Sequence, residues 1–391
     1  MTVMVLLSQR CCQSASRREN GPVNRTNDGS GTPLGVNLLA LRSHNTALVL
    51  DLLRTAGAAG ISRLELAERT GLTPQAVSKI TARLREDGLA AEAGRRASTG
   101  GKPRTVLRLV PEAGHAVGVH LDRDEVRAVL VDLDGTVVDR RGGPLDLGAG
   151  AEAVLARVAG MVEELRAPGR PAGAGRSPLG VGVALPGPLD HGKGVLHRVT
   201  GFPAWDGFPL RDALARRLGV PVVVDKDTNA AALGLAAGGE GGSFAYLHLG
   251  TGLGAGLVIG GSVHRGPRTG AGEFGHQVVQ LDGPRCGCGD RGCVEALCLA
   301  AVGRGETGEA ARVLGVGAAN LVGLLDIDRV LLGGRTVEGE PEVFLRGVRA
   351  VLDARARRTG DAAVPVRVVG GEVAEGAAQL VLAPVFGRGD G

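Results

Sequence analysis

The hydrophobic pattern changes its period near residue 110, and this change divides the chain into two parts of different fold class. Before it, apolar residues recur at helical spacing, so that Val77, Ile80 and Leu84 would form one buried stripe. After it, short apolar strands alternate with helices and glycine turns, as in residues 116–121 and 179–185. The pattern predicts an α/β protein with a separate, mostly helical N-terminal domain.

The N-terminal part predicts a winged helix-turn-helix over residues 36–110, preceded by a disordered arm over residues 1–35. Ser62 and Glu65 have the spacing of a capping box that opens a second helix. Thr73 then caps a third helix, and strands on either side of an arginine-rich loop follow it. This is the layout of a domain that places its third helix in the DNA major groove.

The charge distribution agrees with DNA binding. The chain has a net charge of +4, yet residues 1–110 alone carry +8 and the remainder −4. A small helical bundle with a solvated charged face is the alternative. We expect base-edge contacts from the exposed side of the third helix, namely Gln75, Ser78 and Lys79. We expect phosphate contacts from five basic residues, namely Arg83, Arg95, Arg96, Lys102 and Arg104.

Residues 113–391 form the second part, where strands, glycine turns and helices predict two α/β lobes around a cleft. No continuous apolar run approaches the ~20 residues of a membrane span, and we expect a cytoplasmic protein without membrane contact. Six cysteines in 391 residues do not make a disulfide scaffold. Their clustering instead favours a metal site.

The candidate metal ligands are His276, Cys286, Cys288 and Cys293, spaced H-x9-C-x-C-x4-C. Three thiolates and one imidazole suit a closed, tetrahedral structural Zn²⁺ site. The alternative is a set of free core thiols beside an unrelated histidine. Cys298 is expected to be a core residue, because a fifth ligand does not fit a tetrahedral site.

The run over residues 271–276, together with residues 286–295, resembles the signature of the ROK family of repressors, open reading frames and sugar kinases. With the DNA-binding domain in front, the chain is similar to the regulator branch, which includes xylose and N-acetylglucosamine repressors. The resemblance implies an actin-like, two-lobed sugar-kinase domain over residues 113–391. It also implies that the His/Cys set is the family's zinc site and that Glu273, His276 and Glu295 contact a sugar.

A second segment resembles the family's sugar-binding motif, with Lys226 and Thr228 in place of an Asn and an Ala. The resemblance makes Asp227 a vestigial general base and Asn229 a ligand of sugar hydroxyls. Helix N-capping is the alternative role for both residues. Trp205 or a nearby Phe would be the aromatic residue at the cleft.

The nucleotide side departs from the family. Kinase members have Asp-x-Gly-Gly-Thr in the first hairpin, whereas residues 120–124 are His-Leu-Asp-Arg-Asp. Acidic groups there would repel a triphosphate, and we expect no ATP binding and no enzyme activity. The retained glycines of residues 250–256 and 333–334 would then serve turn geometry. An ATP-dependent sugar kinase and a ligand-independent DNA-binding protein remain alternatives.

The resemblance therefore implies a sugar-responsive transcription regulator, expected to be a repressor of carbohydrate-metabolism genes. Its expected partners are operator DNA, a sugar or sugar derivative, and a second copy of the chain, as a homodimer or larger homo-oligomer. The segment after Glu295 is shorter than the family's, where several further helices are usual.

Overall fold

In the computed structural model the N-terminal domain has the predicted winged helix-turn-helix arrangement. Residues 44–96, 104–167, 177–197, 199, 203–370 and 372–388 are described, the side chain of Arg96 excepted, so the expected arm at residues 1–35 lies outside this part of the chain. The elements are α1 (His44–Ala56), β1 (Ile61–Ser62), α2 (Arg63–Thr70), α3 (Pro74–Glu86), β2 (Ala90–Arg96) and β3 (Arg104–Leu109). The three strands form one antiparallel sheet in the order β1-β3-β2.

The caps predicted for these helices are present. Glu65 N–H donates to Ser62 Oγ at 3.3 Å, and Ser62 N–H donates back to the Glu65 carboxylate at 2.8 Å. Thr73 Oγ1 accepts from Ala76 N–H at 3.2 Å. Each cap satisfies amides that the first helical turn leaves without partners, so both helix starts are fixed by local sequence.

The second part has two lobes, each built on a five-stranded mixed sheet. The sheet of lobe I has the order β10-β7-β4-β5-β6. Its elements, with a small β8-β9 hairpin, are β4 (His115–Leu121), β5 (Glu125–Asp132), β6 (Val137–Pro144), α4 (Ala151–Arg166), β7 (Val181–Leu185), β8 (Leu189–Asp190), β9 (Val195–Leu196), α5 (Leu210–Leu218) and β10 (Val222–Lys226).

The sheet of lobe II has the order β13-β12-β11-β14-β15. Its elements are α6 (Asp227–Ala237), β11 (Phe244–Leu249), β12 (Leu253–Ile259), β13 (Ser262–Val263), α7 (Val294–Gly303), α8 (Thr307–Leu325), β14 (Arg329–Gly333), α9 (Arg335–Gly339), α10 (Pro341–Thr359) and β15 (Val366–Val368). The last helix, α11 (Val373–Leu382), returns to lobe I and packs on β4, β7 and α6.

Glycine allows α11 to lie directly on the sheet of lobe I. A Cβ atom on Gly182 would stand 1.8 Å from the carbonyl oxygen of Ala377, and one on Gly118 would stand 1.9 Å from that of Ala374. A Cβ on Gly376 would in turn meet the carbonyl oxygen of Ala230 in α6 at 2.1 Å. The backbones of α11, α6 and the sheet therefore touch without intervening side chains, which sets their spacing.

The chain after α11 packs against the DNA-binding domain. Val385 and Phe386 belong to the same buried cluster as Leu50 and Leu53 of α1. The Arg54 guanidinium lies 5.1 Å from the centroid of the Phe386 ring. Arg388 pairs with Asp51 of α1 at 3.0 Å, so apolar, cation–π and ionic contacts all join the two domains here.

Two helices near the C-terminus, α10 and α11, were not predicted from the sequence. By length and composition, α8 is the one described helix that could cross a membrane, although Glu309 and Arg312 interrupt its apolar run. It packs against α7 and α10, and half of the apolar window is buried in the protein.

The contact between α11 and the sheet can be tested by adding one methyl group. Gly182→Ala places a Cβ on the Ala377 carbonyl, and overpacking of this kind should lower the free energy of unfolding by about 2 kcal/mol or more. Gly160→Ala is the control, because nothing lies within 4 Å of its Cβ and the α4 interior favours alanine by about 0.5–1 kcal/mol. Urea unfolding measures both, and equal stability of the two variants would contradict the packing described.

Candidate functional site

The four predicted metal ligands come together in lobe II. One ligand atom from each of His276, Cys286, Cys288 and Cys293 lies within 4.8 Å of all the others. The Sγ atoms of Cys288 and Cys293 are 3.7 Å apart, and His276 Nδ1 is 3.6 Å from Cys286 Sγ. Two sulfurs bound to one Zn²⁺ at 2.3 Å with tetrahedral angles stand about 3.8 Å apart, so the donor set fits such an ion.

Local backbone geometry brings these ligands together. His276 ends a 3₁₀ turn that starts at Phe274, and Cys293 immediately precedes α7. Between them the chain doubles back so closely that a Cβ on Gly292 would stand 1.6 Å from the Gln280 carbonyl oxygen. Burial raises the pKa of the Cys293 thiol to about 12, and a cation bound to the sulfur would favour the thiolate instead. Cys298 is buried and donates to the Ala310 carbonyl at 3.4 Å, as a core residue would.

A pocket adjoins this cluster at the cleft between the lobes. It is lined by residues from both lobes, namely Asp122, Arg123, Pro186, Gly187, Lys226, Asp227, Thr228, His248, Thr251, Gly252, Leu253, Gly254, Gly272, Glu273, His276 and Glu295. Four of the five side chains expected to meet an effector therefore share one cavity. The fifth, Asn229, does not line it.

Glu273 and Glu295 occupy different environments within the pocket. Glu295 Oε2 accepts from Leu253 N–H at 2.8 Å, which fixes that carboxylate on lobe II. Glu273 accepts from Lys226 Nζ at 3.0 Å, and this contact crosses the cleft from lobe I. Asp227 is the first residue of α6, and its carboxylate accepts from Thr228 N–H at 2.6 Å. This bond to the next residue's amide is not an N-cap, because Lys226 is the N-cap residue and its side chain makes no capping hydrogen bond, and Asp227 also lines the pocket.

Asn229 belongs to a buried polar network behind the pocket that was not predicted from the sequence. Its Nδ2 donates to Asp225 Oδ1 at 2.9 Å. Arg265 Nε donates to Asp225 Oδ2 at 2.7 Å, and both of these side chains are buried. His191 Nδ1 lies 3.6 Å from the same carboxylate. Asp225, which precedes the Lys-Asp-Thr-Asn segment, could have indicated this network from the sequence, because a carboxylate at the end of a buried strand needs polar or charged partners.

An arginine holds the acidic hairpin at the mouth of the cleft. Arg335, at the start of α9, donates to both carboxylate oxygens of Asp124 at 3.1 and 3.2 Å and to Asp122 at 3.2 Å. Thr251 Oγ1 adds a hydrogen bond to Asp122 at 3.2 Å. Four hydrogen bonds thus join the β4-β5 hairpin of lobe I to lobe II, in the region that the family resemblance assigns to nucleotide phosphates.

The retained glycines have packing roles in this structure. A Cβ on Gly256 would meet the Thr228 carbonyl oxygen at 2.1 Å, and one on Gly333 would meet the Tyr246 hydroxyl at 2.5 Å. Gly334 has φ +93°, which a side chain would strain. Trp205 is not the cleft aromatic that we expected: it is buried in lobe I, where its Nε1–H donates to the Leu147 carbonyl at 2.9 Å.

The predicted DNA contacts lie on exposed parts of the N-terminal domain. The stripe of α3 packs inward, with Val77 and Leu84 buried and Ile80 half-buried. Its other side exposes Gln75, Ser78, Lys79 and Arg83. In the hairpin, Arg95 and Arg104 are exposed, whereas Lys102 and the Arg96 side chain lie outside the described residues.

Comparison with known proteins finds two family models. The model described as ROK family matches residues 116–304, and one described as winged helix-turn-helix DNA-binding matches residues 49–90. The xylose repressor of Caldicellulosiruptor bescii is 27% identical over 342 residues, which cover 76% of this chain and 84% of that protein.

Two solved structures extend the comparison. A ROK hexokinase from Thermus thermophilus is 32% identical, with a TM-score of 0.54, and the match covers 68% of this chain and 97% of the hexokinase. A ROK family transcriptional regulator, a homologue of the Escherichia coli MLC protein, has a TM-score of 0.70 at 20% identity. That match covers 88% of this chain and 97% of the regulator, and it concerns the fold.

The Arg335 contact predicts a measurable titration. Its hydrogen bond holds the pKa of Asp124 below the usual 3.8, so the pair stabilises the folded protein above that pH, and the gain is lost as pH falls through the lowered pKa. In Arg335→Ala the pKa of Asp124 should rise, because the hydrogen bond that lowers it is lost. Carboxyl ¹³C NMR measures it, with Arg329→Ala as control because Arg329 pairs with Glu240 instead. An unshifted Asp124 pKa in Arg335→Ala would show that the contact does not form in solution.

Proposed function

Because the chain belongs to the ROK family, we propose that it is a sugar-responsive DNA-binding transcription regulator that acts as a repressor. The observation that carries this proposal is the presence in one chain of an exposed basic α3 and a carboxylate-lined cleft pocket. The repressor relatives agree with it, and the kinase alternative is not better supported. Asp122 and Asp124, held by Arg335, would oppose a nucleotide triphosphate, so we propose a protein without enzyme activity.

DNA would be bound by the N-terminal domain, which we assign to residues 36–110. With α3 in the major groove, Gln75, Ser78 and Lys79 would face base edges. Arg83, on the same helix, and the exposed Arg95 and Arg104 of the hairpin would face phosphates, with Arg96 and Lys102 as further candidates. Two-fold operators are usual for such domains, so we propose a homodimer or a larger homo-oligomer. We also propose that the protein acts in the cytoplasm.

The effector would bind in the cleft pocket of residues 113–391. Asp227, Glu273 and Glu295 offer carboxylate oxygens, which accept from sugar hydroxyls, and His276 adds an imidazole. Asn229 would act from behind, by hydrogen bonding to Asp225 and so fixing the turn from β10 into α6. The same turn places Asp227 in the pocket, which gives Asn229 a positioning role.

Packed elements connect this pocket with the DNA-binding domain. Asp227 begins α6, and the Gly234 region of α6 lies against Gly376 of α11. After α11, residues 383–386 pack on α1. An effector that binds one arrangement of the lobes more tightly than another would increase the population of that arrangement. Because α6 packs on α11 and the segment after α11 packs on α1, the change would alter the position of α1. The structure gives the packing that connects the two sites. The coupling free energy between them would be measured as the change in operator affinity when sugar is bound.

We further propose that the His/Cys cluster holds a structural Zn²⁺. His276, Cys286, Cys288 and Cys293 would complete its coordination, leaving no open position. The ion would supply cross-links that fix the loop before α7. Because His276 also lines the pocket, the zinc loop would set the orientation of its imidazole toward the effector.

DNA binding by this face has a specific salt signature. Arg83→Ala combined with Arg104→Ala should lower operator affinity at least tenfold and reduce the slope of log affinity against log salt by about 2 per protomer, or about 4 for a homodimer, if each residue contacts one phosphate. The control, Arg346→Ala with Arg358→Ala, removes two exposed arginines of α10. Fluorescence anisotropy on DNA selected by the protein from a random pool measures both, and unchanged binding would place the DNA contacts elsewhere.

Operator affinity that no sugar changes would contradict the sensor role.

Metal content tests the zinc proposal. Cys288→Ser should reduce bound zinc, measured by inductively coupled plasma mass spectrometry, from about one ion per chain to well below one and should lower the melting temperature. The matched control is Cys298→Ser, which changes a buried thiol outside the cluster and should leave the metal content unchanged. Equal metal in both variants, or none in the unaltered protein purified without chelator, would refute the assignment.

A further inference from the structure

Lys226 extends from lobe I into the proposed effector pocket. Its side chain passes Gly187, where a Cβ would stand 2.8 Å from Lys226 Cδ, and only 3% of the residue is exposed. Nζ donates to the Ala271 carbonyl at 2.5 Å and to Glu273 Oε1 at 3.0 Å. The pocket therefore contains a buried cation of the chain's own, fixed against one of the carboxylates proposed to bind the effector.

The two members of this pair differ in freedom. The Glu273 side chain is 43% exposed, whereas that of Lys226 is 4% exposed. Glu273 can turn toward water, but Lys226 cannot, and a buried ammonium that loses its counter-ion carries a large desolvation cost. An effector that recruits Glu273 must therefore leave this pair intact or supply Lys226 with another anion.

The chemistry of the ammonium restricts what can replace Glu273. An ammonium has three N–H donors and no acceptor, and two of its donors are in use here. Charge-assisted hydrogen bonds are about twice as strong as neutral ones, so an anionic oxygen compensates Lys226 better than a hydroxyl does.

The other charges near the pocket decide where an anion could sit. Arg123 also lines the cavity, and Asp122 is engaged by Arg335 and Thr251. Asp122, Asp227 and Glu295 also line the cavity and would each repel an anion, so neutral hydroxyls belong on their side and the anionic group belongs beside Lys226.

We propose that Lys226 is a specificity-determining residue that selects a sugar carrying an anionic oxygen group, either a sugar acid or a sugar phosphate. This inference rests on the proposed sensor function and narrows the class of its effector. A neutral parent sugar cannot replace the Glu273 carboxylate at Lys226, so it would bind only with this pair intact and without the Glu273 oxygen that Lys226 holds.

The test compares matched ligands by isothermal titration calorimetry. Glucose, glucuronate and glucose 6-phosphate, with xylose and xylonate as a second series, separate neutral, carboxylate and phosphate forms. The unaltered protein should bind at least one anionic member tenfold or more tighter than its neutral parent. Lys226→Asn and Lys226→Met should each reduce that ratio to about one or below, whereas Lys193→Asn, at a lysine whose side chain is 78% exposed, should preserve it.

The outcomes separate this inference from the function on which it rests. Neutral sugars that bind as tightly as their anions, or a preference for anions that survives in both Lys226 variants, would overturn the role of Lys226. If those neutral sugars also changed operator affinity, the sensor function would stand. Failure of the protein and of both variants to bind any member would count against both proposals. Circular dichroism and operator binding confirm that the variants are folded.

Discussion

Contact between backbones without intervening side chains is the constraint on which the architecture depends. Gly118 and Gly182 let α11 lie on the sheet of lobe I, and Gly376 lets α6 lie on α11. A Cβ at any of these positions would come within 2.2 Å of a carbonyl oxygen. Such an interface has no side chains that could change rotamer, so a shift of one element would have to move the other. The helix that begins at Asp227 and the segment that packs on α1 are thereby parts of one packed unit.

At the cleft the two lobes are joined by ionic contacts, whereas α11 is joined to its neighbours by backbone contacts at glycines. Three ionic contacts cross between the lobes, from Lys226 to Glu273, from Asp225 to Arg265, and from the acidic hairpin to Arg335. The Asp225 pair is buried and lies behind the pocket, whereas the Arg335 pair is half-exposed at its mouth. Salt would weaken the contact at the mouth more than the one behind, because water and ions screen exposed pairs. The ionic contacts that join the lobes thus range from buried to solvent-exposed.

Local signals explain why parts of this structure were predictable. The capping box at Ser62, the proline after Thr73 and the ligand spacing of the His/Cys cluster all act within a few residues, and the structure confirms the helix starts and the cluster. Trp205 was wrongly placed because burial is decided by lobe I packing, which local sequence does not contain. Asn229 and Asp225 likewise acquire their roles from Arg265, 40 residues from Asp225, and the position of α11 depends on Gly118 and Gly182 in two distant strands.

The junction between the C-terminal segment and α1 also constrains the order of events during synthesis. Arg388 and Asp51 are separated by 337 positions in the chain, and the segment that seats α1 is made after both lobes. At about 5–20 residues per second, a ribosome needs roughly 20–70 s to pass from one to the other. During that interval a DNA-binding domain whose caps are entirely local can fold, yet it lacks the surface that orients it. A nascent chain would therefore have a folded DNA-binding domain before it has the C-terminal segment that joins this domain to the two lobes.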